Sequence, residues 1–255
     1  SSCSSTPDHL QLIPNDTPMI GTIDVFSLGK KIALDNFDEL DLLKDFEDMA
    51  KENRESRKLY KDYVDNFSES FLSEINFFKG LTYFVIPPSR GSDVPAIGLA
   101  FDIHDHEKIE EGIEDIFDKM EKEIKIDELD DNDYGIAFLP DNVGVLAWDD
   151  KRAIYLNGPN YLYWDKSSRN ELEDIIESMF NTKRKKSNIS NNKSFMNFYN
   201  NKGDLGLWAS GEEFINIFEE YGGRDFDDFN REFNNLGMSI DDYTNETFYA
   251  ANLDF

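Results

Sequence analysis

Three short apolar runs, Tyr134 to Leu139, Val143 to Trp148 and Ala153 to Asn157, follow one another, joined through the turn-like Pro140-Asp141-Asn142 and Asp149-Asp150-Lys151. Such a connection can turn a strand back beside its predecessor. It cannot carry a crossover, which takes about a dozen residues. The spacing therefore predicts an antiparallel meander. Met19 to Phe26, Leu81 to Ile86, Ala96 to Ile103, Asp204 to Ala209 and Thr247 to Phe255 also read as strands. Pro87-Pro88-Ser89-Arg90-Gly91 is a break that no strand runs through.

Between the strands lie apolar stripes at steps of three and four. Asn36 and Glu39 form a capping box before Phe37, Leu40, Leu43, Phe46 and Ala50, and the helix continues or restarts through Lys51 to Val64. Asp105 precedes Ile109, Ile113, Ile116, Phe117 and Met120 as an N-cap. Ser168 with Glu171 and Ser210 with Glu213 repeat the capping pattern ahead of Leu172, Ile175, Ile176, Met179 and Phe180, and of Phe214, Ile215 and Phe218. The expected fold is α+β, a mainly antiparallel sheet with helices packed on one face.

The chain divides by composition into a tether over residues 1–14, an α+β domain over 15–182 and a polar linker over 183–193. A second, incomplete α+β unit is expected over 194–255, where the strand, helix, strand order of residues 19 to 86 recurs. His9 falls within the tether. The content is 39% hydrophobic, sufficient for a core without disulfides, which a single cysteine cannot form within one chain.

Charge narrows the partners. With 26 Lys and Arg against 53 Asp and Glu, the net charge is −27, so the average surface repels nucleic acid and anionic lipid. The basic run Lys183 to Lys186 follows a helix end, where cations complement the dipole. No apolar run approaches the ~18 residues that span a bilayer.

The one cysteine stands in Ser1-Ser2-Cys3-Ser4-Ser5-Thr6-Pro7-Asp8. Two small residues before a cysteine and a polar stretch after it resemble the end of a lipobox, the processing site of bacterial lipoproteins. That resemblance implies lipidation of Cys3 and attachment to a membrane through the lipid. Ser4 is not the aspartate that retains many Gram-negative lipoproteins in the inner membrane, so the resemblance implies the outer membrane of the cell envelope.

Further segments carry a second likeness. Ile13-Pro14-Asn15-Asp16, Ile23-Asp24, Tyr83-Phe84, Gly98 to Phe101, Val145 to Lys151 and Gly206-Leu207-Trp208 together resemble an uncharacterised lipoprotein family of Bacteroidota, a domain of unknown function. The resemblance brings no activity, ligand or catalytic residue with it.

Residues with recognisable chemistry are few. His104 and His106 flank Asp105 and could direct two imidazoles to one side, but no third or fourth metal ligand accompanies them. They read as a strand-to-helix turn, with no metal and no cofactor expected. The acidic runs Asp127 to Asp133 and Asp225 to Asp228 supply oxygen ligands without EF-hand spacing, and read as solvated loops. Three histidines assemble no nucleophilic triad from sequence. Trp148, Trp164, Trp208 and Tyr161-Leu162-Tyr163 read as core rather than as glycan-stacking surfaces. Gly222-Gly223 precedes an acidic stretch that would repel phosphate.

The expected function is a non-enzymatic binding or assembly component of the envelope, with an envelope protein or a glycan as partner. The alternatives are a hydrolase of extracellular polymers using a carboxylate pair and a calcium-dependent adhesion module.

Overall fold

The computed structural model describes residues 6–31, 69–87, 96–119, 124–127, 134–139, 144–157, 166–181, 188–213 and 247–253. Nine strands form one sheet: β1 (Met19–Ile23), β2 (Leu81–Ile86), β3 (Ala96–Asp102), β4 (Lys125–Asp127), β5 (Gly135–Phe138), β6 (Val145–Trp148), β7 (Arg152–Asn157), β8 (Leu205–Ser210) and β9 (Thr247–Leu253). Their order is β4-β5-β6-β7-β3-β2-β1-β8-β9, and every pairing is antiparallel. The described helices are α1 (Val25–Lys31), α2 (Glu69–Glu74), α3 (His106–Lys119), α4 (Lys166–Phe180) and α5 (Lys193–Asn200). The fold is α+β, and β5, β6 and β7 form the expected meander.

Alternation along the strands sends side chains into two cores rather than one. In β6, Val145 and Ala147 join Ile20, Phe84, Ile154 and Leu156 beneath α4 and α5, whose Leu172, Ile176, Phe195 and Phe198 seal that face. Leu146 and Trp148 point the other way, to Ile109, Ile113, Ile116 and Phe117 of α3 and Phe71 of α2. Helices therefore cover both faces of the sheet, which corrects the one-face expectation. The physical reason is that β6 is apolar at every position, so each face needs its own cover.

The amino-terminal segment differs from expectation as well. Leu10, Leu12 and Ile13 are fully or almost fully buried, and Asp8–Gln11 form a 3-10 turn on the sheet. The stretch from Pro7 to Pro14 is thus docked on the body rather than a tether, because its apolar side chains are worth about 1.5–3 kcal/mol each when covered. The expected linker is also partly docked. Ile189 is buried, its N–H donates to the Ile13 carbonyl at 2.8 Å, and Asn188 bridges to Pro14.

Residues 194–255 do not begin a separate sheet. β8 pairs with β1 from Met19↔Ala209 to Ile23↔Leu205, and β9 extends the same sheet at its edge. The expected boundary therefore runs through one hydrogen-bonded layer. Residues beyond Glu213 up to 246, including the expected helix of Phe214 and Phe218, lie outside the described residues, as do the helices expected over 37–64.

Gly80 links the 3-10 turn Phe77–Lys79 to β2 with φ +75°, and a Cβ there would stand 2.7 Å from the Ile23 carbonyl oxygen. Gly80→Ala is expected to destabilise by about 1–2 kcal/mol in urea unfolding, since an L side chain is strained at that φ and meets rigid backbone. A neutral result would show that β1 and the turn can part without cost.

Candidate functional site

The strands end in two polar clusters and one cleft. His9 is fully buried: its Nδ1 lies 2.8 Å from Asp102 Oδ1 and its Nε2 2.9 Å from Thr82 Oγ1. The backbone N–H groups of His9 and Asp8 donate to the same carboxylate at 2.7 and 3.2 Å. Burial pushes the Asp102 pKa up, but the hydrogen bond and charge of His9, with the two backbone N–H groups, outweigh it and hold the carboxyl below its usual value. A carboxylate, an imidazole and a hydroxyl in a row have the order of a nucleophilic triad. Thr82 is 1% exposed and His9 0%, so no substrate reaches them and the row is a latch. The placement of His9 in a tether is thereby corrected.

A second cluster joins the end of β1 to the start of β8. Asp24 N–H donates to the Asp204 carbonyl at 2.7 Å, Ser27 N–H donates to Asp24 Oδ1 at 2.8 Å, and Ser27 Oγ donates to Asp204 Oδ1 at 2.5 Å. Lys202 sits over the Tyr199 ring, 4.7 Å from its centroid. Burial lowers the Lys202 pKa, partly offset by Asp24 and Asp204, and burial raises that of Tyr199, with Asp102 and Asp24 adding to the rise. The hydrogen bonds among Asp24, Ser27 and Asp204 fit a joint between strands.

The cleft lies on the face sealed by α4. Its volume is 610 Å³, within the range of small-molecule sites. One wall is the segment Gln11 to Thr17, the opposite wall Ile175, Ser178, Met179, Phe180 and Asn181 of α4 and its end, and Ile86 and Pro87 close one side. Gln11, Asn15, Asp16 and Asn181 are exposed around it, while Leu12, Ile13 and Phe180 are buried beneath. Arg152 also lines the cleft, but its guanidinium donates to Asp149 Oδ2 through Nε at 2.8 Å and through Nη2. Asp16 is the sole carboxylate among the cleft's described lining residues.

The segment that forms one wall has committed three backbone groups between Ile13 and Thr17. Ile13 carbonyl accepts from Ile189 N–H, Pro14 carbonyl accepts from Thr17 N–H, and Pro14 bridges Asn188. Thr17 is 1% exposed and its hydroxyl has no hydrogen-bond partner, enclosed behind the wall.

The remaining sequence candidates do not meet in this cleft. His104 is exposed at the end of β3, and its N–H donates to the Glu74 carbonyl. His106 opens α3 with Nδ1 3.8 Å from Asp150, and Asp105 caps that helix by accepting from Glu107 N–H at 3.1 Å. No group of three metal-ligating side chains occurs among the described residues. Trp148 and Trp208 are buried, Trp148 donating to Glu110 at 2.8 Å, so neither offers a stacking surface. Trp164, Tyr161 to Tyr163, residues 128–133 of the first acidic run, Asp225 to Asp228, the basic run Lys183 to Lys186, Gly222-Gly223 and Cys3 lie outside the described residues.

An antiparallel sheet clad on both faces, with one described cleft on the α4 side, defines an α+β protein. Residues 9–231 match the family described as a domain of unknown function, DUF4836, and the chain belongs to that family. No curated protein and no solved structure matches the chain.

Proposed function

We propose that the protein is a non-enzymatic binding component of the bacterial envelope, anchored to the outer membrane by a lipid on Cys3, and that its cleft holds an uncharged glycan. The lipobox-like Ser1-Ser2-Cys3 supports the anchor and the likeness to a Bacteroidota lipoprotein family supports the setting. The observation that carries the binding role is the chemistry of the cleft: amides at its solvent edge, Gln11 (which donates to Asp8), Asn15 and Asn181, around an apolar floor, with one carboxylate and an arginine paired to Asp149. Hydrolysis by a carboxylate pair needs a second acid facing Asp16, and none lines the cleft among the described residues. A peptide added as a strand needs open backbone groups, and in this wall the Ile13 and Pro14 carbonyls and the Thr17 N–H are already bonded. Hydroxyl-rich, neutral sugars match amide side chains and apolar patches, and they escape the repulsion a chain of charge −27 imposes on anions.

The test is calorimetric titration of the full chain with a panel of uncharged oligosaccharides. At least one class is expected to bind, and Asn15→Ala with Asn181→Ala should weaken it about tenfold or more, from two hydrogen bonds of ~1 kcal/mol each. Absence of binding across the panel, or binding indifferent to both substitutions, would remove the glycan reading.

A further inference from the structure

Three large apolar side chains are exposed among the described residues: Phe26 at 41%, Phe78 at 72% and Ile97 at 57%. Two of them meet. Phe26, in α1 just after β1, and Phe78, in the turn just before β2, have ring centroids 4.5 Å apart. The Ile23↔Leu81 pairing of β1 with β2 brings these two neighbours of the strands to one end of the sheet.

The amino-terminal chain reaches the sheet at that same end. Asp8 N–H donates to the side chain of Asp102, while Asn76 N–H, at the start of the turn that carries Phe78, donates to the Asp102 main-chain carbonyl at 2.8 Å. One residue thus fixes both the aromatic turn and the point from which the chain runs back to Cys3. Pro7 is buried against the body, and the four residue steps from Cys3 to Pro7 can span at most about 14 Å. Ile97 lies at the other end of β3, about 17 Å away along the strand.

Resting on the anchor proposed above, we infer that the end of the sheet bearing Phe26 and Phe78 is a membrane-contact surface, its aromatic pair seated in the headgroup region of a neutral bilayer. A tether this short holds the sheet end against the lipid. Two exposed aromatic rings there remove apolar surface from water when they enter the interface. The bilayer is zwitterionic, since the net charge of −27 opposes an anionic one.

The single cysteine makes the test specific. The full chain is coupled at Cys3 to one sixteen-carbon chain through a maleimide, and its partition onto vesicles of phosphatidylcholine and phosphatidylethanolamine is measured by sedimentation. A single acyl chain gives only marginal, reversible binding, so added contacts register. Phe26→Ser with Phe78→Ser is expected to lower the partition about tenfold, Phe78→Ser alone several-fold, and Ile97→Ser not at all. Phe78 is mostly solvent-facing, so its single variant keeps the test valid if the double variant unfolds. Unchanged partition of Phe78→Ser, or an equal loss with Ile97→Ser, overturns the inference while leaving the anchor intact. The anchor itself is read in the native host: a Cys3→Ser protein that stays in the membrane pellet, with native Cys3 unmodified by mass spectrometry, removes the anchor and the role of this surface with it.

Discussion

Asp102→Ala is expected to lower stability by about 3–5 kcal/mol, read as a shift of the urea midpoint with unchanged slope. The carboxylate accepts from His9 Nδ1 and from two backbone N–H groups, and it is 4% exposed. Its removal leaves buried donors that water cannot reach, and it frees the turn that brings Leu10, Leu12 and Ile13 into the core. The pH dependence follows from the same contacts. Because the Asp102 pKa is lower in the folded chain than its ordinary value of 3.8, its contribution is complete above that value and is lost as pH falls through the folded pKa. The acid limb of the stability profile should therefore be shallower in Asp102→Ala. A loss under ~1 kcal/mol would show that the amino-terminal turn is held by its apolar side chains alone.

Trp208→Ala is expected to cost a similar 3–5 kcal/mol, the range for emptying a buried aromatic site. Trp208 is 1% exposed, meets the Phe195 ring edge-on at 5.6 Å and lies opposite Ile20 of β1. It thus couples strands from the two sides of residues 183–193. The expected calorimetric result is one transition moved down as a whole. Two transitions, of which only one shifts, would restore the division into two folding units.

The meander and the stripe of α3 were legible because their signals are local: three-residue connections in one, and Ile109, Ile113, Ile116 and Phe117 behind a capping Asp105 in the other. The strand expected to run through Phe26 stops at Ile23, and Val25 opens a helix where Asp24 bonds to Ser27. β4 was unread, being three residues long and defined by its pairing with β5. α5 opens the expected second unit, where no helix was expected. Asn192, which accepts from Ser194 and Phe195 N–H, and the spacing of Phe195, Phe198 and Tyr199 were the signals for it.

The two-sided burial also had a sequence signature, since Val145-Leu146-Ala147-Trp148 has no polar alternate. His9 had none of its own. Its partners are 73 and 93 residues away, and only the apolar Leu10, Leu12 and Ile13 beside it argued against a solvated tether. The cleft draws on segments 11–17, 86–87, 152, 175–181 and 188, which no local pattern brings together.

The joint between Ser27 and Asp204 closes across 177 residues, and it sets a timetable for synthesis. At roughly 5–20 residues per second, β1 leaves the ribosome about ten to thirty-five seconds before β8 exists. Through that interval one side of β1 has no native strand to pair with, and the sheet cannot be completed around it. A topology dominated by such distant partners folds slowly, on the millisecond-to-second scale, once the chain is whole. The sheet therefore stays incomplete while the chain is being made. For a protein proposed to sit at the outer membrane, that delay is an interval in which export can begin.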